Sequence, residues 1–452
     1  MEKQLIFELS KEFAEQLLEA VEKQESALIK EVLDGVNPAD ISETLEEFSS
    51  EDSKYVLDLL TDEASSEIIS DLDDDILKRF LKIFEPVELA PLIEIMDSDD
   101  AVDILNILQT EKREEIIASI SNQEKVNNIL DLMRYDEDVA GGLMAKELIK
   151  ANANWTIEQT IEEIRRQSEN VTHIYSVYVV DNRNHLLGKV SLRKMLLAKD
   201  GTKIKDFYQD DIISVQADQD EEEVVAVMKK YDLEAIPVVN MRGKLMGRIT
   251  IDDIVDVMSE QAEEERQLMS GISEDVEEDD SIWLLTRSRI PWLVIGLIGS
   301  FFGAEVIGIF EDQIILVPML AFFIPLITAT GGNVAIQSSS MVVQSLATKS
   351  VFQDSNAKRM FKVIMVAILN GLLLALLAFS LSYLLQRNLQ ISIVVSVALV
   401  CVVLLASLSG TITPIILDKL GINPAAASGP FITTANDLLG LAVYFIVAYT
   451  LL

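Results

Sequence analysis

The sequence predicts a multidomain chain: an all-α superhelical domain, then a pair of α+β modules, then an α-helical membrane domain with five spans. Three observations carry that expectation. Residues from about Pro38 to Met133 repeat every twelve positions, two similar units follow at a spacing of 59 residues, and five long apolar runs lie beyond Ser281. The charge divides at the same place. The 452 residues sum to a formal charge of -37, yet the first 280 hold 29 basic and 68 acidic residues against eight and six in the remainder. We place the superhelix at residues 1–134, the paired modules at 135–258, an acidic connecting helix and linker at 259–280, and the membrane domain at 281–452.

Written in rows of twelve, the first domain aligns without a gap. One column reads Leu45, Leu57, Ile69, Leu81, Ile93, Leu105, Ile117 and Ile129; three places on come Phe48, Leu60, Leu72, Phe84, Met96, Leu108, Ile120 and Leu132. Each row opens on a residue that starts helices: Pro38, Ser50, Asp62, Asp74, Pro86, Ser98, Thr110 and Asn122. A row is therefore one capped helix of about ten residues with an apolar stripe. Helices so short are marginal in water, so they must stack into a solenoid with a shared core. The Met1–Val36 arm also reads as helical, and Ser26, Leu33 and Val36 fit a ninth row.

In the first of the two similar units, a helix near Ile157–Ile164 precedes a strand at Ile174–Val180 and another at Leu187–Ser191. In the second, a helix near Glu221–Lys230 precedes strands Ala235–Val239 and Leu245–Thr250; Gly188 matches Gly247, and Ser191 matches Thr250. This arrangement resembles a pair of CBS domains. The resemblance implies compact modules that pair with one another and, in many members, hold ATP or another adenine nucleotide. It assigns the ribose contact to Thr250 and Asp253, whereas the first unit departs from it with Lys194 in the acidic place. From Thr250 to about Asp280 a helix is expected, with Ile254, Val255, Val257, Met258 and Leu268 packed and many carboxylates on another face.

The membrane spans are expected near 290–310, 314–343, 363–385, 391–416 and 430–452. Trp283 and Trp292 flank the first entry as interfacial anchors. Arg287, Arg289, Lys349, Lys358, Arg359, Lys362 and Lys419 lie on one side by the positive-inside rule, so the amino terminus is cytoplasmic and the carboxyl terminus extracytoplasmic. The second run, at roughly 45 Å as straight helix, exceeds a hydrocarbon core of about 30 Å. It must break or overhang, and Pro318, Pro325 and Thr330-Gly-Gly-Asn333 supply the break, in a place where irregular backbone lines a cavity or is buried in protein. The spacing of Gly299 and Gly303 suits a close helix contact or a dimer face.

The last span carries the residue with most to say. Asp437 lies about two turns inside a helix starting near Pro430, where a carboxylate costs about 2.5 to 3.5 kcal/mol. Thr433, Thr434 and Asn436 lie within one turn of it and make a band of oxygens. Intramembrane acids mark ion pathways by default, so the functional reading is a cation site; the alternative is a protonated Asp bonded to a neighbouring helix.

Composition excludes several other classes. The acidic soluble half repels nucleic acid and gathers cations. The amino terminus lacks a basic region followed by an apolar core, which predicts that the soluble half stays in the cytoplasm. Cys401 is the single cysteine and excludes an intrachain disulfide, and His173 and His185 are too few for a histidine-rich metal site. There is no P-loop, His-Glu-x-x-His or nucleophile elbow, so an enzyme is not expected.

Taken together the chain resembles the MgtE family of magnesium channels and transporters. The residues that carry this are Phe323-Ile-Pro-Leu-Ile-Thr-Ala-Thr-Gly-Gly-Asn333 with Gln337, Gly410-Thr-Ile-Thr-Pro414, and the stretch from Asn423 to Asp437. The resemblance implies a homodimer in the plasma membrane bilayer with a pore on its two-fold axis. Asp437 of each subunit would bind hydrated Mg²⁺ there, with Asn333, Gln337, Thr433, Thr434 and Asn436 near it. It also implies a cytosolic Mg²⁺ sensor at Glu67, Asp99, Asp103, Asp253, Asp256, Glu264 and Glu265; Gln261 departs from that pattern. The implied activity is Mg²⁺ import down its electrochemical gradient, closed by intracellular Mg²⁺. Alternatives are another divalent ion such as Mn²⁺ or Co²⁺, or a membrane-anchored metal or nucleotide sensor.

Overall fold

Side-chain caps cut the first part of the chain into short helices, because Asn37, Ser49, Thr61 and Asn122 each accept a bond from a first-turn backbone N–H. In the computed structural model these helices are α1 (Lys11–Glu22), α2 (Ser26–Leu33), α3 (Pro38–Glu46), α4 (Ser50–Leu57), α5 (Asp62–Ser70), α6 (Asp74–Phe80), α7 (Pro86–Ile95), α8 (Ser98–Ile107), α9 (Thr110–Ser119) and α10 (Gln123–Leu132). The structure describes residues 11–72, 74–168, 171, 174–199, 201–273, 276, 281–347, 356–427 and 429–452. Residues 1–10 of the arm, His173, Lys349 and the acids Glu274, Asp275 and Glu277–Asp280 lie outside the described residues. The chain forms two compact units, Met1–Met258 and Ser259–Leu452.

In the first unit the helices pack on their second neighbours, α3 on α5, α5 on α7, α7 on α9 and α8 on α10, which is how a twelve-residue repeat winds into a superhelix. The expected column is the core: Leu45, Leu57, Ile69, Leu81, Ile93, Leu105 and Ile129 are all buried. One row departs. Ile116 rather than Ile117 reaches the core, because α9 turns by one residue. Serines tie successive helices, with Ser53 Oγ donating to Leu45 O at 3.1 Å and Ser65 Oγ to Leu57 O at 3.0 Å.

The two α+β modules follow. The first has β1 (Ile149–Asn152), α11 (Ile157–Gln167), β2 (Val177–Val180), β3 (Leu186–Val190) and α12 (Leu192–Leu197); the second has β4 (Val215–Gln216), α13 (Glu221–Tyr231), β5 (Ala235–Val239), β6 (Leu245–Thr250) and α14 (Ile251–Ser270). Each sheet has one parallel and one antiparallel pairing, in the orders β1-β2-β3 and β4-β5-β6. Strands β1 and β4 were not expected from the sequence, and the strand expected from Ile174 joins its ladder only at Val177. Helix α14 is shorter than expected. It ends at Ser270 because Gly271 takes a positive φ of 81°.

The superhelix and the modules share buried polar contacts within this unit. Glu147 accepts from Ser98 N at 2.9 Å and Ser98 Oγ at 2.6 Å, and it pairs with the buried Lys125 at 3.2 Å. Arg248 of β6 pairs with Asp97 at 3.3 Å.

The second unit contains α15 (Ile282–Ile309), α16 (Glu311–Leu316), a 3₁₀ segment at Pro318–Phe323, α17 (Ile324–Ala347), α18 (Asn356–Gln386), α19 (Leu389–Lys419), a 3₁₀ turn at Pro424–Ala427 and α20 (Pro430–Leu451). Among the described residues five helical segments are long and apolar enough to cross a membrane. Helix α19 is central, with α17, α18 and α20 around it. The second span is irregular only at its Pro318–Phe323 start. The break expected at Thr330-Gly-Gly-Asn333 is absent: those residues continue α17, and their glycines admit neighbours instead. Gly299 and Gly303 meet α20 of the same chain. Trp292 is half-buried near Gly271 rather than standing free as an anchor, while Trp283 is exposed.

Candidate metal sites

Within about two turns, α20 presents three faces. Ile432, Asn436 and Gly440 are buried, and Gly440 lies against Val402 of α19 and Ile327 of α17. Thr434 faces α15, where a Cβ on Gly299 would lie 1.7 Å from Thr434 Cγ2. Thr433 and Asp437, one turn apart, face α17. There Gly332 makes the room, since a Cβ on it would lie 3.5 Å from Thr433 Cγ2 and 3.8 Å from Asp437 Oδ1. Asp437 is half-buried, and Asn333 and Gln337 are exposed one turn apart on α17.

Two expected pore residues do not share the Asp437 face. Thr434 Oγ1 donates back to Pro430 O at 2.7 Å, and its methyl group packs on Gly299. Asn436 is 2% exposed, with Nδ2 donating to Ile432 O and Oδ1 accepting from Ser409 Oγ, both at 2.8 Å. Thr433 Oγ1 makes the same bond to Pro430 O, at 2.9 Å, so what separates the two threonines is the helix each one faces.

A second group of carboxylates lies in the first unit. Asp97, Asp99 and Asp100 begin α8, Asp252 and Asp253 begin α14, and together they line a cleft of about 70 Å³ with Arg248, Thr250 and Tyr175. Asp99 is 8% exposed. Burial, with Asp253 and Asp100 adding to it, holds its carboxyl well above the usual carboxylate range. Burial, then Asp97 and Asp253, pushes Asp100 up to about 7. Burial also pushes Asp253 up to about 6, against two bonds from Thr250 N and Oγ1 to its Oδ2 at 2.8 Å. The positive charge in the cleft is Arg248, whose guanidinium centre lies 5.2 Å from the Tyr175 ring. Five carboxylates facing one guanidinium make a site short of positive charge, and oxygen donors suit a hard divalent cation. Among the described residues no three acidic, histidine or cysteine groups converge to hold a bare ion. A cation that keeps part of its water, as Mg²⁺ does, needs fewer direct ligands than a bare ion.

Of the expected sensor residues, the fold brings Asp99 and Asp253 together. Glu67 on α5, Asp103 on α8 and Asp256 on α14 are exposed outside the cleft lining, although Asp103 adds to the push on Asp100. Glu264 and Glu265 lie farther along α14, in the second unit. Sequence reasoning missed Asp97, Asp100 and Asp252. The signal was present in the runs Asp97-Ser-Asp-Asp100 and Asp252-Asp253.

The pair expected to grip a ribose, Thr250 and Asp253, sits in this same cleft. An adenine nucleotide needs a pocket of roughly 300 Å³ or more, so the cleft at its present width admits part of one. A cleft of about 800 Å³ between the end of α7, α10 and the two modules is large enough, and it is lined by Lys125, Lys146, Lys150 and Arg166, of which Lys125, Lys146 and Arg166 pair with Glu147, Asp131 and Glu163.

A helical superhelix joined to a paired α+β module, followed by a five-span bundle with one carboxylate inside it, defines a multi-pass membrane protein that handles cations. The chain matches the family model for the MgtE intracellular N domain at residues 36–138, the CBS domain model at 137–201 and 204–260, and the MgtE divalent cation transporter model at 324–447. It is 35% identical over 327 residues to the magnesium transporter MgtE of Enterococcus faecalis, covering 72% of each chain. It is 33% identical over 326 residues to that of Thermus thermophilus, covering 71% of this chain and 72% of the relative. The chain belongs to the MgtE family. Among solved structures, the soluble part of a magnesium transporter is 28% identical with a TM-score of 0.52, covering 56% of this chain and 100% of that one. The cytosolic domain of the Mg²⁺ channel MgtE in complex with ATP is 31% identical with a TM-score of 0.51, covering 54% and 99%.

Proposed function

We propose that the chain moves Mg²⁺ across the plasma membrane, down its electrochemical gradient, and that intracellular Mg²⁺ bound to the acidic cleft closes the path. The observation that carries the transport half is the Asp437 face: a half-buried carboxylate with Thr433 beside Gly332 at membrane depth, next to a helix with Asn333 and Gln337 exposed. Mg²⁺ gives up its water reluctantly, and a single carboxylate with neutral oxygens suits a hydrated ion better than a closed cage would. We take the working form to be a homodimer that sets two Asp437 carboxylates around one path, with the amino terminus cytoplasmic and the carboxyl terminus outside.

The gating half rests on charge. Without a cation, the carboxylates beginning α8 and α14 repel, which favours separating the two helices; a bound Mg²⁺ bridges them. Helix α14 leads into the second unit, and there its end abuts the start of α20. A Cβ on Gly271 would lie 2.6 Å from Pro430 Cγ, and one on Gly429 would lie 2.5 Å from Met269 O. A shift of α14 is thus passed to the turn that begins the Asp437 helix. Moving such an equilibrium from 1:99 to 99:1 takes about 5.5 kcal/mol, which several weak sites supply together.

The test is ion flux through the purified chain in liposomes under a series of divalent ions. Mg²⁺ uptake that exceeds uptake of Mn²⁺, Co²⁺ and Ca²⁺ is the expected result. Preference for another ion would reassign the cargo, since a carboxylate accepts those ions too. Flux of none would favour a membrane-anchored sensor.

A further inference from the structure

The buried amide next to Asp437 has a role of its own. Asn436 is 2% exposed and joins α20 to α19 by accepting a bond from Ser409 Oγ at 2.8 Å. Its Nδ2 is held by Ile432 O at 2.8 Å, and the Ser409 carbonyl in turn accepts from Thr413 Oγ1 at 2.8 Å. Ser409 Oγ also lies 3.1 Å from Ala406 O, so its one proton has two acceptors; the cost of breaking the bond falls on Asn436 Oδ1, which would be left unpaired inside the bundle.

We propose that Ser409 and Asn436 are positioning residues that set the rotation of α20 and thereby the ion discrimination of the Asp437 site. The inference rests on reading Asp437 as the permeation site. Adjacent residues stand about 100° apart around a helix, so fixing Asn436 against α19 fixes the direction of Asp437. Thr434 blocks rotation on a second side, where it packs on Gly299, and Gly332 leaves the space into which Asp437 turns. With side chains ending about 5–6 Å from the helix axis, a rotation of about 20° moves the carboxylate by about 2 Å. Direct oxygen distances are about 2.0–2.1 Å for Mg²⁺ and 2.3–2.6 Å for Ca²⁺, so such a shift outweighs the difference between the ions. It also decides whether Asp437 meets an ion directly or through its water.

The experiment competes Mg²⁺ uptake with Ca²⁺ and Mn²⁺ in liposomes holding the full chain. Its readout is the competitor concentration that halves uptake, relative to Mg²⁺, which does not depend on how many molecules are active. Ser409→Ala is expected to change that ratio by about threefold to tenfold, the worth of one net hydrogen bond, and Ser409→Thr, which keeps the hydroxyl, to restore it. Should the alanine variant fail to fold, Ser409→Cys weakens the donor at similar size and is expected to shift the ratio in the same direction. A merely structural bond would lower uptake of every ion and leave the ratio unchanged, and that result overturns the proposal. Asp437→Asn serves as the control. Full Mg²⁺ uptake there removes the permeation reading itself, whereas lost uptake with an unchanged ratio in the Ser409 variants removes only the positioning role.

Discussion

The chain keeps carboxylates in two settings, and the contrast separates two tasks. In the first unit five of them crowd one small cleft at the starts of α8 and α14, with Arg248 as the cleft's cation. In the second, Asp437 stands half-buried beside a glycine, on a helix with no other charged side chain. A crowded set binds a cation by relieving repulsion, so its geometry changes on binding. Asp437 is set apart from such a crowd, and its helix is held by close contacts with α15, α17 and α19. The first arrangement suits a sensor. The second suits a fixed station on a path.

The largest effect that separates these tasks is expected at Asp437. Replacing it by Asn keeps the shape and removes the charge, and should lower Mg²⁺ uptake by about a hundredfold or more, since the lost electrostatic attraction at membrane depth exceeds about 2.7 kcal/mol. Thermal stability of the first unit should not change. Wild-type uptake in this variant would reduce Asp437 to a structural residue and dissolve the comparison.

A change in the superhelix should have the opposite profile. Leu105 is fully buried on α8, the helix whose first turn carries Asp99 and Asp100. Leu105→Ala should cost about 2 to 5 kcal/mol by leaving a cavity in the superhelix core, and Leu81→Ala a similar amount. The unfolding midpoint in denaturant measures it, with uptake in the absence of internal Mg²⁺ preserved. A loss near zero would mean the twelve-residue register is misassigned.

The smallest effect is a dependence on pH. Folding raises Asp100 to about 7 and Asp253 to about 6, from an ordinary value near 4 in the unfolded chain. The folded cleft therefore binds protons more readily than the unfolded chain does. Its stability is fullest below about pH 4 and declines as pH rises through about 6 and 7, the reverse of the usual carboxylate case. Melting temperature in chelator should fall between pH 5 and pH 8, by a few degrees, and millimolar Mg²⁺ should flatten the slope by taking the place of the protons. A slope untouched by Mg²⁺ would show that the cleft does not hold the ion.

What the sequence made legible follows from range. The superhelix was readable because each row carries its own cap and core residue, so Pro38, Leu45 and their successors announce the fold locally. Strands β1 and β4 were not, since four and two residues are too short to display an alternating pattern. Gly331 and Gly332 read as a break because glycine weakens a helix in water. In the bundle no water competes for the backbone, and the missing side chains admit Val402, Thr433 and Asp437. The neighbours of Asp437 were visible as one polar turn. Which helix each of them meets depends on where its 100° step points, and the contacts that show it, Ser409 with Asn436 and Gly299 with Thr434, lie far away in sequence.

The division of labour is tested most directly by Mg²⁺ uptake measured across a series of internal Mg²⁺ concentrations, for the whole chain and for one lacking residues 1–134. That truncation removes Asp97, Asp99 and Asp100 while leaving α14, the spans and Asp437 in place. We expect the same maximal uptake at low internal Mg²⁺, with inhibition moved to at least about tenfold higher concentration, because one side of the bridging site is gone. An unchanged inhibition curve would contradict the assignment of sensing to the acidic cleft.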